Sequence, residues 1–302
     1  MNQRHIVIDW GTTNFRAWLV NSSDGVVLDE IDEGRGLSSL ETHEFPDYCQ
    51  SHLQAWLNED QPSIYMAGMV GAALGWQAAP QLPLPVSLDQ LVEHTVAASG
   101  MQDVWIVPGT RVDGHQPDVM RGEEIQIFGA LALAERSDAV LCLPGTHSKW
   151  AQVSNKSLTH FTTSMTGEMY NILLKHSIIA RSAETAIDDQ EAFKLGARNA
   201  CKDGGLLHQL FATRARSLYA GLKPSSVPSY VSGLLIGSEV QAMQALYPAS
   251  EDKILLVCAK SLAAPYQTVL EDVGYKVQCV DAKEASLSGC NTLSKIHRQS
   301  RN

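Results

Sequence analysis

The sequence predicts an α/β fold in two lobes, with helices flanking a mixed sheet in each lobe. Short apolar strands alternate with helical patterns along most of the 302 residues, which is typical of α/β proteins. A strand-loop-strand unit at residues 5–20 recurs in similar form from Ala139, which indicates an internal duplication. We therefore expect an N-terminal lobe of residues 1–136 and a C-terminal lobe of residues 137–302.

The N-terminal lobe opens with a predicted hairpin. Residues 5–9 and 15–20 are apolar, β-prone runs on either side of a polar, glycine-containing bend. Residues 45–59 carry apolar side chains along one helical face, which predicts an amphipathic helix. The other elements predicted for this lobe are strands at 26–30, 63–66 and 104–108, an extended proline-rich stretch at 82–86, and helices at 88–99 and 123–136.

The C-terminal lobe repeats this opening. Residues 139–143 form an apolar strand, 144–148 a polar bend, and 150–153 a second strand. The elements predicted beyond them are strands at 158–163, 253–258 and 276–280, a Pro/Ser-rich turn at 224–228, and helices at 168–177, 189–200, 206–219, 238–246, 263–273 and 285–296.

Composition and charge argue against several classes of protein. The formal net charge of −10 disfavours binding to nucleic acid or to an anionic membrane. No apolar run of about 18 residues predicts a membrane span, and no signal-peptide stretch precedes the first strand. The six cysteines are scattered without a C-x-x-C pair, which argues against a zinc ribbon or a redox dithiol. We therefore expect a cytoplasmic protein with free thiols.

The first bend has the residue types of a phosphate-binding loop. Gly11 has no Cβ and permits close approach of a phosphate to the backbone. Asp9, at the strand end, is a candidate ligand for Mg²⁺, and Arg16 is a candidate to neutralise phosphate charge. Three neighbouring residues supply further donors, namely Thr12, Thr13 and Asn14. An ordinary hairpin turn with an exposed aspartate explains the same residues equally well.

The second bend repeats the glycine-threonine pair at Gly145 and Thr146, followed by His147 and Lys149. Two such loops at the starts of two similar lobes would face each other across a cleft and hold one nucleoside triphosphate. His147 as a hydrated turn residue and Lys149 as a solvated strand charge remain the alternatives.

The two loops are where a family resemblance enters. The chain resembles the sugar-kinase, heat-shock-protein-70 and actin superfamily, and more narrowly the 2-dehydro-3-deoxygalactonokinases. The matching stretches are IDWGTTNFRAWLV at 8–20, AGMVGAALGW at 67–76, PDVMRGEEIQIFGAL at 117–131, LPGTHSKW at 143–150, TTSMTGEMYNIL at 162–173 and SGLLIGSE at 232–239. The resemblance implies a ribonuclease-H-like, actin-like ATPase fold. It also implies transfer of the γ-phosphate of ATP to the 6-hydroxyl of 2-dehydro-3-deoxy-D-galactonate in galactonate catabolism.

The resemblance also suggests roles for individual residues. A carboxylate opens the first connecting helix in related kinases, so we expect Glu123 to be the catalytic base, with Glu124 second and Asp118 third. Charge complementing a helix N-terminus is the alternative for the two glutamates. Arg121 is the expected partner of the substrate carboxylate, since a guanidinium binds it bidentately.

Other positions are expected to line the two ligands. On the sugar side we expect Met69, Gly75, Trp76 and Lys149. On the adenosine side we expect Gly233, Gly237 and Ala259. Trp76 as a packing residue is the alternative at that position, and we expect Thr166 to be an ordinary N-cap. Ala259 lies in Cys258-Ala259-Lys260, where many superfamily members carry glycines.

Other functions on the same fold remain open at this point. They are a kinase of another sugar, sugar acid or pantothenate, a sugar-sensing regulator, and an actin-like filament or chaperone ATPase. A regulator needs a DNA-binding segment of about 60 residues, which the predicted strand at 5–9 and the net charge disfavour. The sequence leaves the oligomeric state open, and a homodimer is one arrangement that it allows.

Overall fold

The computed structural model describes residues 4–179 and 187–301. The chain forms two compact units, each assembled from more than one stretch. Unit 1 comprises Met1–Ala139, Ala151–Phe161 and Val280–Asn302, and unit 2 comprises Val140–Trp150 and Thr162–Cys279. The division into lobes of residues 1–136 and 137–302 stays a prediction.

A six-stranded mixed sheet forms the centre of unit 1. Its order is β3 (Val27–Ile31), β2 (Phe15–Asn21), β1 (Arg4–Trp10), β4 (Ser63–Ala67), β8 (Val104–Ile106) and β7 (Val96–Ala97). Strand β1 runs antiparallel to β2 and parallel to β4, with Asp9 opposite Ala67. Because parallel strands end at the same edge, the first bend and the Gly68 turn after β4 lie at one edge of this sheet.

Helix α1 (Phe45–Asp60) packs its predicted apolar face onto the sheet. The buried side chains of that face are Phe45, Cys49, Leu53 and Trp56. Burial of such a side chain typically stabilises a fold by about 1.5–3 kcal/mol. Pro46 lies in the first turn, where a missing N–H leaves no helical hydrogen bond unmade. Apolar spacing and capping therefore agree on this helix.

The remaining part of unit 1 differs in detail from the prediction. Unit 1 also contains a three-stranded sheet in the order β10 (Asp118–Met120), β9 (Gly109–Val112) and β5 (Gln81–Pro83). The sequence analysis did not predict β9 and β10, because such short strands show no alternation of apolar and polar residues. Helix α2 (Leu88–Glu93) follows β6 (Val86–Ser87) and is shorter than the predicted 88–99. The β-branched Thr95 and Val96 lead into β7 instead.

Two helices of unit 1 contact each other through glycines. In α3 (Glu123–Leu133), a Cβ at Gly129 would lie 1.8 Å from the carbonyl oxygen of Ala285 in α9 (Ala282–Ser300). A Cβ at Gly289 of α9 would lie 2.2 Å from the carbonyl oxygen of Ile125. The two backbones therefore touch, and this contact positions the start of α3, where the candidate catalytic carboxylates lie.

The strands of unit 2 follow the order β15 (Val277–Asp281), β14 (Ile254–Cys258), β11 (Ala139–Leu143), β12 (Ser148–Ser154) and β13 (Ser157–Ser164). Strands β11 and β14 are parallel. The far ends of β12 and β13 belong to unit 1, where β13 pairs antiparallel with β6. The helices of unit 2 are α4 (Thr166–His176), α5 (Gln190–Ala200), α6 (Gly205–Tyr219), α7 (Val227–Gln244) and α8 (Lys260–Asp272).

Helix α7 is longer than predicted. It begins at Val227, not at residue 238, because Pro228 lies in its first turn, where proline is compatible with a helix. The helix is buried nearly all round, so it lacks the amphipathic period that reveals surface helices. A Cβ at Gly233 would lie 2.0 Å from the carbonyl oxygen of Phe193, so α5 and α7 are in close backbone contact.

The α/β fold is confirmed, and the other predicted elements are present with ends that differ by a few residues. None of the helices among residues 4–179 and 187–301 combines the length and the apolar character that a membrane span requires.

Candidate active site

The first loop, the bend between β1 and β2, has its carbonyl groups engaged by a neighbouring segment. The backbone N–H of Leu37 donates to the carbonyl of Gly11 at 3.1 Å. Ser38 donates to the carbonyl of Thr12 through its N–H at 3.0 Å and its Oγ at 2.9 Å. The N–H of Gly11 donates across the bend to Asn14 at 3.0 Å. The loop is thereby held in one conformation.

Two N–H groups of the first loop are available to a ligand. Across the part of the chain that the structure describes, the N–H groups of Thr12 and Thr13 have no hydrogen-bond partner in the protein. Both residues are exposed. Successive backbone N–H groups in a turn form concavities that bind anions. The two N–H groups are donors of the kind that the predicted phosphate-binding loop requires, and the binding of phosphate itself stays a prediction.

The supporting segment, residues 34–38, was not identified from the sequence. A Cβ at Gly36 would lie 2.3 Å from the carbonyl carbon of Thr13, so only glycine permits this approach. The indole N–H of Trp10 donates to the carbonyl of Arg35 at 3.0 Å, which fastens the segment to β1. Two glycines in a short polar stretch, Gly34 and Gly36, were the available signal.

Asp9 ends β1 beside the loop. Burial of its carboxylate raises its pKa; Arg16 acts to lower that pKa and Glu123 to raise it further. Within the described residues, the carboxylate of Asp9 forms no hydrogen bond and no ion pair. A Cβ at Gly68 would lie 3.4 Å from its Oδ1, so the glycine keeps the space beside Asp9 open. A desolvated carboxylate without a protein partner is suited to bind a cation.

Arg16 faces outward from β2. Its Nε pairs with Oδ1 of Asp32 at 2.9 Å, with both side chains largely exposed. The predicted contact of Arg16 with phosphate charge stays a prediction.

The candidate base residues have different environments. Glu123 opens α3 and is half-buried, and its Oε2 accepts a long hydrogen bond of 3.3 Å from the N–H of Arg121. Glu124 is fully buried, and both its carboxylate oxygens accept from the N–H of Gly122 at 2.8 and 2.9 Å. Burial raises the pKa of Glu124 to about 8. Asp118 lies in β10, and its Oδ1 accepts from the N–H of Val119 at 2.7 Å.

Arg121 is turned towards the protein. Its Nη2 donates to the carbonyl of Ala79 at 2.9 Å. Its Nη1 is buried and lies 2.8 Å from the position that a Cβ of residue 71 would take, so Gly71 allows this close contact. Burial lowers the pKa of this guanidinium. In this conformation Arg121 supports the turn at 68–71, and its predicted contact with the substrate carboxylate stays a prediction.

The predicted position of Trp76 on the sugar side is wrong. Its side chain is 4% exposed, stacks on Phe45 with ring centroids 6.4 Å apart, and donates its indole N–H to Ser99. Trp76 is therefore a core residue, because neither its face nor its N–H is available. Gly75 closes the preceding turn, with a built Cβ only 2.3 Å from the carbonyl oxygen of Val70. Met69 is 39% exposed, and its predicted contact with the sugar stays a prediction.

The second loop, between β11 and β12, is supported in an analogous way by the start of α4. The N–H of Glu168 donates to the carbonyl of Thr146 at 3.0 Å. A Cβ at Gly167 would lie 2.5 Å from the carbonyl oxygen of Gly145. Over residues 4–179 and 187–301, no protein group accepts a hydrogen bond from the N–H of Gly145, Thr146 or His147. A Cβ at Gly145 would meet open space. This loop too presents unpaired donors to a ligand.

His147 and Lys149, at the end of the second loop, differ in exposure. Nε2 of His147 lies 2.6 Å from Oε2 of Glu168, and both side chains are partly exposed. Lys149 is only 4% exposed, and its Nζ donates to the carbonyl of His147 at 3.3 Å. The alternative of a solvated strand charge is therefore wrong for Lys149, because β12 buries it; its predicted contact with the sugar is untested.

The expected adenosine side shows two situations. Gly233 and Gly237 are buried in α7, and their close contacts are with α5. Their predicted role towards adenosine therefore rests on the resemblance alone. Ala259 is exposed at the N-terminal end of α8, directly after β14.

Thr166 is not an N-cap; it is the first helical residue of α4, and its hydroxyl donates to Glu239.

The mixed sheets, the flanking helices and the glycine-containing loop between the first two strands agree with the actin-like ATPase class of folds that the family resemblance implies. Comparison with solved structures agrees. The activator of the 2-hydroxyisocaproyl-CoA dehydratase from Clostridium difficile, solved with bound ADPNP, superposes with a TM-score of 0.56 at 10% identity. The match covers 99% of this chain and 97% of that chain.

Within this class, the chain belongs to the 2-keto-3-deoxy-galactonokinase family, whose model matches residues 9–293. It is 35% identical to the 2-dehydro-3-deoxygalactonokinase of Escherichia coli (strain K12) over 297 residues, 97% of this chain and 98% of that protein. A crystal structure of a Sinorhizobium meliloti protein assigned to this activity superposes with a TM-score of 0.88 at 33% identity. It covers 98% of this chain and 99% of that one.

Proposed function

We propose that the protein is an ATP-dependent kinase that phosphorylates the 6-hydroxyl of 2-dehydro-3-deoxy-D-galactonate. The observation that carries the phosphate part is common to both loops. In each, a neighbouring segment donates to loop carbonyl groups, those of Gly11 and Thr12 in the first loop and that of Thr146 in the second. Consecutive N–H groups of both loops have no partner among the described residues. Such donors suit the phosphate oxygens of ATP. Membership of the 2-keto-3-deoxy-galactonokinase family supports the choice of sugar acid.

Asp9 is the residue proposed to hold Mg²⁺. Its carboxylate is desolvated, lies near Glu123 and has no hydrogen bond to the described part of the protein, and these properties fit a ligand of a hydrated divalent cation. When bound, the ion supplies neutralisation of the charge on the nucleotide phosphates. We infer that the N–H groups of Thr12 and Thr13 bind nucleotide phosphate oxygens, and that those of Gly145 and Thr146 are phosphate-binding donors as well.

Glu123 is the proposed base. The substrate 6-oxygen forms a bond to the γ-phosphorus, the bond from that phosphorus to the β,γ-bridging oxygen breaks, and ADP leaves. The hydroxyl proton passes to Glu123, which typically contributes about 10²–10⁴-fold to the rate. Glu124 is less suited because its pKa of about 8 leaves it mostly protonated at neutral pH, and because its oxygens are turned to the N–H of Gly122.

The test is a coupled ADP-release assay on purified protein with ATP, Mg²⁺ and a substrate panel. The panel contains the keto-deoxy sugar acid, related sugar acids, hexoses and pantothenate, and phosphorus NMR locates the new phosphate. We expect turnover of the keto-deoxy acid. Turnover of a hexose or pantothenate without it identifies another kinase, and sugar binding without turnover identifies a regulator.

Asp9→Asn tests the proposed role of Asp9 in the same assay. The neutral amide keeps the size of the side chain but weakens cation binding, so we expect kcat to fall by at least about 100-fold, as for loss of one key electrostatic group. A near-native kcat in Asp9→Asn would contradict the assignment of Asp9 to the cation.

The proposal includes a cytoplasmic location and extends to the oligomeric state, for which a homodimer is the arrangement to test. Light scattering coupled to size-exclusion chromatography distinguishes a dimer of this 32.9 kDa chain from a monomer.

A further inference from the structure

Glu239 of α7 is a buried carboxylate that the assigned roles leave unexplained. The residue is 5% exposed. Its Oε1 accepts from the indole N–H of Trp150 at 2.8 Å, and its Oε2 accepts from the hydroxyl of Tyr266 at 2.8 Å. The hydroxyl of Thr166 also donates to Oε2. Oγ of Ser148 lies 2.9 Å from the Tyr266 hydroxyl. We call these five residues the Glu239 network.

The network surrounds a carboxyl group whose ionisation is opposed by burial. Desolvation raises the pKa of Glu239, and hydrogen bonding within the network, from Thr166, Trp150, Tyr266 and Ser148, acts in the opposite direction. No lysine, arginine or histidine of the described chain forms an ion pair with it. A carboxylate accepts several hydrogen bonds at once, and the Trp150 N–H is a donor only. The arrangement therefore requires an acceptor with the capacity of a carboxylate.

The elements joined by Glu239 are those that shape the second loop. Ser148 directly follows the loop in β12. Thr166 directly precedes Gly167 and Glu168, which contact the carbonyls of Gly145 and Thr146. The exit of the loop and the helix start that supports it are thus both fastened to one carboxylate.

We propose that Glu239 is a positioning residue for the second loop, where it holds the loop N–H groups in the arrangement that binds the phosphates of ATP. The inference rests on the proposed function. Glu239 itself is too deeply buried to touch the nucleotide, so it acts through Thr166 and through Tyr266 with Ser148. Because the sugar-side residues of unit 1 are outside this network, nucleotide binding is the property that should change.

Thr166 offers the cleanest test. Thr166→Val removes the hydroxyl at nearly constant size, whereas Thr166→Ser retains it. We expect the Kd for a nonhydrolysable ATP analogue, measured by calorimetry, to rise about tenfold in Thr166→Val, as for loss of a hydrogen bond to a charged group. The Kd should stay within about twofold in Thr166→Ser because the donor is kept. The KM for the sugar acid should change little in either. Unchanged nucleotide affinity in Thr166→Val, or equal loss in Thr166→Ser, overturns the proposal.

A second pair separates positioning from general stability. Tyr266→Phe removes a hydroxyl of the network, and Tyr275→Phe removes another buried hydroxyl of unit 2, which donates to the carbonyl of Tyr247. We expect both to lower Tm, but only Tyr266→Phe to weaken nucleotide binding. Equal weakening in both overturns the proposal. Glu239→Gln should behave like Thr166→Val; if it does not fold, the threonine pair decides. Absence of turnover in the wild type concerns the proposed function, whereas the binding measurements judge this inference.

Discussion

Asp9, Glu123 and Glu124 are three carboxylates that influence one another's protonation, and their environments suit them to different tasks. Glu123 raises the pKa of both Asp9 and Glu124, so the three are close enough to repel. Asp9 has no hydrogen-bond partner in the described chain, Glu123 is half-buried at the start of α3, and Glu124 is fully buried. These environments suit Asp9 to bind a cation, Glu123 to accept a proton from a reacting hydroxyl, and Glu124 to retain its own proton.

Glu123→Gln tests the base. The amide keeps the size of the side chain and can still form hydrogen bonds, but it accepts no proton. We therefore expect kcat to fall by about 10²-fold or more, while the Kd for ATP stays within a few-fold of the wild-type value. Steady-state kinetics and calorimetry with an ATP analogue check this prediction. A defect confined to ATP affinity would show that the base lies elsewhere.

Glu124 predicts a particular dependence of stability on pH. Its folded-state pKa of about 8 is above the ordinary value of 4.5, so the folded state binds its proton more tightly than the unfolded state does. Its contribution is therefore fully present below about pH 4.5 and is lost as pH rises towards 8, with a slope of up to about 1.4 kcal/mol per pH unit. Glu124→Gln keeps the acceptor for the N–H of Gly122 and has no proton to lose.

Denaturant unfolding between pH 5 and 8.5 measures this effect. We expect the wild type to lose more stability than Glu124→Gln across that range. The matched control, Glu135→Gln, replaces an exposed glutamate just beyond α3 and should retain the wild-type slope. Parallel profiles for wild type and Glu124→Gln would mean that Glu124 is ionised in the folded protein.

At the scale of elements, the two loops are similar in sequence but differ in what supports them. The first is held by segment 34–38, which leads into a short 3-10 turn, and the second by the N-terminal turn of α4. The glycine-threonine pairs were visible in the sequence because each is a short contiguous motif that follows an apolar strand. The supports were not, since they lie more than 20 residues away and act through backbone hydrogen bonds that any residue type can make.

Gly36→Ala tests the support of the first loop. The backbone at Gly36 is extended, with φ −77° and ψ 176°, so alanine is conformationally acceptable and only space is lacking. A Cβ 2.3 Å from Thr13 must displace the segment or the loop, at a cost of about 1–3 kcal/mol. We expect the KM for ATP to rise about tenfold or more, since 1.4 kcal/mol corresponds to tenfold.

Ser38→Ala is the graded control for that substitution. It removes the Oγ hydrogen bond to Thr12 but keeps the backbone N–H donation, so its effect should be much smaller than that of Gly36→Ala. Equal effects of the two variants, or none from Gly36→Ala, would contradict the supporting role of the segment.

At the scale of the whole molecule, the sequence predicted the fold class and most elements because strand and helix periodicities are local properties. It failed where burial removes periodicity, as in α7, and where strands are very short, as in β9 and β10. It also failed for Trp76, because an aromatic side chain near a glycine turn suits a sugar site and a core equally well. The orientation of the Arg121 side chain was also not predictable. It depends on a hydrogen bond to the carbonyl of Ala79, and the spacing of residues in the sequence does not reveal such a contact.

The glycine contact between α3 and α9 has a consequence for how the chain folds. Unit 1 draws its last helix from beyond residue 280, so the backbone face of α3 around Gly129 stays uncovered until that helix has been synthesised. Closing a loop of this length adds little entropy cost, because that cost grows only with the logarithm of length. It does make the contact non-local, and non-local contacts slow folding. On the ribosome, α9 is therefore the element whose arrival completes the unit that carries the proposed catalytic base.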